Sequence, residues 1–287
     1  MPGAYEKILL LDPEKDHWEI TRLSVYYEFP WDYARALELA LFRTFAVPSI
    51  SGILDRSQEF EKQPQKRYDD TDLILSEILE NGPESERAKA AIKKLNFIHS
   101  HFNISQDDYL YVLSTFIFVP EQWVNKYGYR PISRQELAAG FKVWQELGAL
   151  MGIQNIPATR EELRTFSIAY EARHFIPQAS NHAVALSTEN MFLSKLLPGP
   201  FYNLGRPFLH AVMDEPLLKA VGFKQPGSVV RLMVHAFFAM RKAILKILPR
   251  RSKPFLRTQL PRQESYPQGY KVSDLGSIPY EREERTG

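Results

Sequence analysis

The sequence predicts an all-α fold built as a single helical domain. Three observations predict it. Apolar residues recur at helical spacing through most of the 287 residues. Strand-like alternation is scarce. Two capping boxes, Ser133–Glu136 and Thr159–Glu162, each open a helix. At 44% hydrophobic and 24% charged residues, the chain is too apolar to be disordered and long enough for a sizeable core.

Residues 14–28 and 31–45 read as two helices split by Phe29-Pro30, the second ended by Pro48. Residues 55–66 are polar and read as a loop. Asp70 to Leu79 reads as a short helix closed by Gly82. Pro83, followed by Glu84 and Glu86, marks the start of a helix running to His101. Residues 107–118 form an apolar helix stopped by Pro120. The capping boxes open helices to Met151 and Phe175. Two more helices are expected at 182–197 and 228–248. Residues 1–251 are thus expected to form the helical domain, and 252–287 an irregular Pro/Arg-rich tail.

Cysteine is absent. That removes disulfides, Cys-ligated zinc, iron–sulfur clusters, thiolate-ligated haem and cysteine nucleophiles. The net charge of +2 conceals an asymmetry. Residues 1–215 carry 22 basic and 29 acidic residues, whereas 216–263 carry 11 basic and none acidic. Such a block implies a partner surface or an anionic ligand. In the helix 228–248, Arg231, His235, Lys242 and Lys246 share about 60° of arc on an otherwise apolar helix. A solvated stripe is the plain reading. Peripheral contact with an anionic membrane through 228–257 is the sharper one. Nucleic acid is not expected, because no nucleic-acid-binding motif accompanies the charge. No stretch reaches the roughly 20 apolar residues of a membrane span, and no signal peptide is visible. The expected location is therefore intracellular, either cytoplasmic or peripherally membrane-associated, with the endoplasmic-reticulum face an option.

Candidate chemistry rests on few residues. His99 lies in the middle of the apolar arc of its helix, with Ala88, Ile92, Leu95 and Phe102, while His101 points away. Spacing alone favours a core histidine bonded to a backbone carbonyl over a ligand. His174, in a stripe with Leu163, Phe166 and Tyr170, is the second candidate for a buried histidine. In Arg67-Tyr-Asp-Asp-Thr71, an early helix start would aim both Arg67 and Thr71 at the core. Otherwise Asp69 or Asp70 caps the helix and Arg67 is a surface ion-pair partner. No phosphate loop, G-x-S-x-G elbow, H-E-x-x-H or paired diiron motif is present.

Several segments together carry a family resemblance. They are Leu39-Ala-Leu-Phe-Arg-Thr-Phe-Ala-Val-Pro-Ser-Ile-Ser51, Lys66 to Thr71, Asn96-Phe-Ile-His99, Asp107-Asp108-Tyr-Leu-Tyr111, Trp144 with Gly148, Met151-Gly-Ile153, Tyr170-Glu171 and Ser265 to Tyr270. The chain resembles the family of endoplasmic-reticulum-bound oxygenases of mycophenolic acid biosynthesis and rubber oxygenase catalytic domains, in its fungal-type branch. The resemblance implies a globin-like helical core holding haem b through His99; His174, from its helical stripe, is the fallback iron ligand. It implies Arg67 and Thr71 in the haem pocket, and a general base for which Glu59 is the nearest acidic candidate. It implies dioxygen-dependent cleavage of an isoprenoid carbon–carbon double bond, hence a lipophilic, prenylated small-molecule substrate and O2 as partners. A neutral imidazole suits iron, and a guanidinium with a hydroxyl suits an oxygen gaining negative charge. Two departures bear on this. A rubber oxygenase can carry a lysine where this chain has Asp70, so a lysine-capped iron is not expected. The fungal enzyme has an N-terminal membrane anchor and secreted rubber oxygenases have signal peptides; neither is expected here, so rubber is not the expected substrate. The alternative from another class is a non-catalytic haem- or lipid-binding protein of the same fold.

Overall fold

In the computed structural model, residues 3–260 and 263–278 are described. They form one helical domain with fourteen α-helices and no strand among them. The all-α expectation holds. In chain order the helices are α1 (Ala4–Leu10), α2 (His17–Leu23), α3 (Pro30–Phe45), α4 (Pro48–Ser57), α5 (Glu59–Lys62), α6 (Pro64–Asn81) and α7 (Glu86–Ser100). Then come α8 (Gln106–Tyr127), α9 (Arg134–Leu150), α10 (Arg160–His174), α11 (Ala179–Ser194), α12 (Tyr202–His210), α13 (Glu215–Ala220) and α14 (Ser228–Ile247).

Among the described residues, helices α3 and α8 share the most extensive contact; α9 lies on α2, and α6 on α7. The main core gathers Leu73 and Ile78 of α6, Leu113 and Ile117 of α8, Val143 and Leu147 of α9, and Leu163 of α10. Gly148 lets α9 approach α8 closely: a Cβ there would stand 2.9 Å from Leu113 Cδ2. No single described helix is long and apolar enough to cross a membrane; α3 and α4 reach that length only together, across a 98° bend.

Several sequence expectations are corrected. Pro48 does not merely end α3. It occupies the first turn of α4, where its missing N–H costs nothing, and Val47 before it is extended. Residues 55–66 are not a loop: α4 continues to Ser57, α5 follows and α6 begins at Pro64. Polar composition hid this, but buried Phe60 ties the segment to the core. Pro120 lies inside α8. A proline inside a helix costs about 3 kcal/mol, and here burial on both sides, by Ile117, Phe118, Trp123 and Val124, offsets it. Residues 24–28 form a π-helical turn. The expected helix at 182–197 is shifted to 179–194. Helices α1, α12 and α13 were not expected; α13 is capped by Asp214.

The π turn has a use. It points Ser24 and Glu28 toward Arg130. The Arg130 guanidinium donates to Glu136 Oε1 and Oε2 at 2.9 and 2.7 Å and to Glu28 Oε2 at 3.0 Å. Ser24 Oγ donates to Glu136 Oε1 at 2.8 Å, and Tyr129 OH donates to Glu28. The guanidinium also lies against the Tyr5 ring at 3.7 Å. Both carboxylates are buried. This knot ties α1, the π turn and α9 together.

Residues 250–278, where described, are irregular apart from the 3-10 turn Val272–Asp274. Residues 261–262 and 279–287 of the expected tail lie outside the described residues. The described tail is docked along the acidic face of α6. Arg257 Nε donates to Asp72 at 2.7 Å, Ser265 Oγ to Asp69 at 2.6 Å and Tyr270 OH to Glu77 at 2.7 Å. Tyr266 OH donates to Asp70, and Leu275 is fully buried.

Candidate functional site

The candidate residues converge because α6 begins early. Starting at Pro64, it puts Arg67 and Thr71 one turn apart on its inner face. Arg67 Nη1 donates to Thr71 Oγ1, and that hydroxyl donates back to Arg67 O at 3.1 Å. Asp69 and Asp70 therefore do not cap the helix. Both are buried in its middle, and Asp70 is held by Lys66 at 2.8 Å.

Arg67 and Thr71 line a cavity of about 210 Å³ between α3, α4, α6, α7 and α8. His99 enters it from α7 and Glu59 from α5. The remaining wall is largely apolar, with Phe45, Ile74, Leu113, Phe116 and Trp144 among its members. Arg67 is buried without a carboxylate at ion-pair distance among the described residues. Burial pulls its pKa down, with Asp70 and Glu59 acting in the opposite direction from further away. Apart from the bond to Thr71, its N–H groups meet no protein acceptor among the described residues. A guanidinium so placed is a ready donor for an anionic oxygen.

His99 is the one histidine at the cavity wall; of the others, only His17 also has a buried Nδ1 without a hydrogen-bond partner. His101, His182 and His210 bond backbone carbonyls at 2.7, 2.9 and 2.9 Å. His210 also meets Glu189 at 2.7 Å, and His17 Nε2 lies 2.8 Å from a Glu146 carboxylate oxygen. The buried Nδ1 of His99 has no hydrogen-bond partner, and its ring rests edge-on against Tyr109 at 5.4 Å. The backbone-bonded core histidine allowed by its spacing is thus not what forms. Burial, aided by the Arg67 charge, lowers its pKa to about 4. The imidazole is neutral at physiological pH, the state that binds a metal.

His174 does not behave as expected. It is exposed at the end of α10, stacked on Tyr170 at 4.2 Å, and does not line the cavity. Its helical stripe holds only to Tyr170; the last turn of α10 runs past the core.

A haem asks of its protein an imidazole in an apolar pocket rather than a full set of metal ligands. Among the described residues, no group of three His, Asp or Glu side chains could hold a bare metal ion. The donor set is instead one neutral, unpartnered imidazole in an apolar cavity, which suits a metal that brings its own equatorial ligands.

Two parts of the site escape helical periodicity. Gly276 and Ser277 of the tail form part of the wall. Gly276 has φ +86, and a Cβ there would come within 2.5 Å of Ile98 Cδ1. Gly276→Ala is expected to cost about 1–2 kcal/mol from the left-handed backbone alone, more if Ile98 cannot shift; a lowered thermal midpoint is the readout. The second part is a buttress. Arg43 Nε donates to Glu171 Oε1 at 2.8 Å, and Tyr111 OH donates to the same oxygen at 3.0 Å. Tyr111 stacks on Tyr170 at 4.5 Å, and Tyr170 OH donates to Asp108, a cavity residue. These residues come from three of the segments that carry the resemblance, and they brace α3, α8 and α10 around the cavity.

The sequence matches an oxygenase family. The family model for the "ER-bound oxygenase mpaB/B'/Rubber oxygenase, catalytic domain" matches residues 33–243, and the chain belongs to that family. It is 31% identical over 226 residues to the ER-bound oxygenase mpaB of Penicillium roqueforti (strain FM164), covering 72% of this chain and 76% of that protein. It is 29% identical over 253 residues to the ER-bound oxygenase mpaB' of Penicillium brevicompactum, covering 82% of this chain. Against mpaB of the same organism, identity is 31% over 205 residues and 65% of this chain. The chain spans 60% and 52% of the lengths of these two P. brevicompactum relatives.

Proposed function

We propose that the chain is a haem-dependent oxygenase that uses O2 to cleave or oxidise a lipophilic, prenylated small molecule. The observation that carries this reading is one apolar cavity holding both an unpartnered neutral imidazole, His99, and a buried guanidinium without a counter-ion, Arg67. Family membership supports the oxygenase part. The proposal includes the globin-like, haem b-binding core implied by the resemblance. His99 would hold the iron; when bound, the haem supplies dioxygen activation.

The chain's own residues have distinct tasks. The apolar wall excludes water and takes the prenyl chain. Arg67 donates hydrogen bonds to an oxygen gaining negative charge, and Thr71 holds the guanidinium in place. Glu59, at the same wall, is the group placed to accept a proton at its carboxylate.

Arg67→Leu gives a sharp test. Activity with a prenylated substrate and O2 should drop about 10²–10³-fold, as for loss of an oxyanion donor. The fold should become no less stable, because an unpaired buried charge is removed. Retained turnover, or unfolding of the variant, would overturn the role given to Arg67. Haem binding by the wild type without oxygen consumption on any prenylated compound would favour the non-catalytic binder.

A further inference from the structure

A second hollow lies away from His99. It is a groove of about 480 Å³ between α3, α8, α11, α12 and α14. Its floor is aromatic, with Phe42, Trp123 and Phe238, and its lip carries Trp31, Met233 and Phe237. The surface around it is unusually apolar. Of eighteen exposed large hydrophobic residues among those described, twelve fall between residues 196 and 248, including Leu204 at 66%, Leu232 at 69% and Ile247 at 84% exposure. In α14 only Val234 and Phe238 are buried. A helix apolar on nearly all sides would normally sit inside a protein, and exposed patches this large mark interaction surfaces.

Charge identifies the partner. Residues 216–263 contain eleven basic residues and no acidic one. Arg231, Lys246 and Lys253 are exposed and have no carboxylate partner among the described residues. A second copy of the chain docked through this face would set one basic block against another, so self-association is disfavoured. Apolar side chains interspersed with long cationic ones match the boundary between headgroups and acyl chains of an anionic bilayer.

We propose that the α12–α14 face rests on an anionic bilayer and that the groove opening in it takes one aliphatic chain of a membrane amphiphile. The basic residues meet the headgroups, while Met233 and Phe237 frame the port through which the chain enters. This site is separate from the His99 cavity and does not depend on haem.

The test uses the full chain with vesicles of equimolar phosphatidylserine and phosphatidylcholine whose acyl chains are brominated. Bromine quenches tryptophan on contact, and Trp31 and Trp123 line the groove. Strong quenching of wild-type fluorescence is expected. Combining Trp18→Phe with Trp144→Phe should leave it in place, since those rings lie elsewhere. Should that variant fail to fold, the wild type is compared with Met233→Asp/Phe237→Asp, which should bind vesicles with little quenching. Arg231→Glu, Lys246→Glu and Lys253→Glu together should weaken vesicle binding by about a hundredfold or more. Vesicle binding without quenching by brominated chains would overturn the groove's role. Equal binding to neutral vesicles, or a stable dimer that binds none, would overturn the assignment of the face.

Discussion

His99→Ala is expected to abolish stoichiometric haem binding. The wild-type protein mixed with haem should show a Soret band, and the variant should show only the broad absorption of free haem. His99 is the one histidine lining the cavity, and its Nδ1 is left without a partner. Exposed His174 cannot replace it from outside the cavity. A wild type without a Soret band would remove the haem proposal; a band unchanged in the variant would place the ligand elsewhere. The pH dependence adds a second reading. An ordinary histidine is increasingly protonated below about pH 6.5 and then competes poorly for metal. With its pKa lowered to about 4, His99 stays neutral through pH 5. Haem affinity should therefore stay nearly level between about pH 7 and 5, as read by absorption titration.

Arg130→Met should be the most destabilising single change in the framework, by about 3–5 kcal/mol. It leaves Glu28 and Glu136 buried without a cation. Adding Glu28→Gln and Glu136→Gln should recover part of the loss, because the cost lies in the stranded charges. The acid response should change sign. Burial acts to raise the Glu136 pKa, but the bonds and charge of Arg130 outweigh it and the net shift is downward. A depressed carboxylate contributes stability that is full above its unfolded pKa, about 4.5, and lost as pH falls through the folded value. The wild type should thus weaken below about pH 4.5. In Arg130→Met, only the bonds from Ser133 and Ser24 still oppose burial, the Glu136 carboxyl is pushed toward protonation, and mild acid should stabilise the fold. Denaturant titrations across pH decide this; parallel pH profiles would contradict it.

The fold was legible where helix signals are local. The capping boxes at Ser133 and Thr159 form as read, and α14 lies one residue from its expected end. Misreadings arose where tertiary burial overrules local preference. Pro120 sits inside α8 because the helix is buried on both sides of it, and 55–66 is helical because Phe60 is anchored. At the site, periodicity selected His99 and, given an early α6, paired Arg67 with Thr71; both are where that reasoning put them. It failed for His174, since a helical stripe does not say where a helix outruns the core. It could not find Arg43, whose partner Glu171 is 128 residues away. Nor could it place Gly276 in the wall, because the tail reads as irregular and has no helical period to assign it a face.

The docked tail makes closure of the cavity a late event in folding. Lys66 Nζ reaches Gly276 O across 210 positions of sequence, so this wall forms only after one of the longest loops in the chain has closed. Contacts of such separation form slowly, because loop entropy is lost before they contribute. A folding intermediate containing α3 to α8 would already present His99 and Arg67 on a cavity open along one side. Cofactor capture and tail docking would then compete in time, and the docked tail would act as a kinetic latch on whatever had entered.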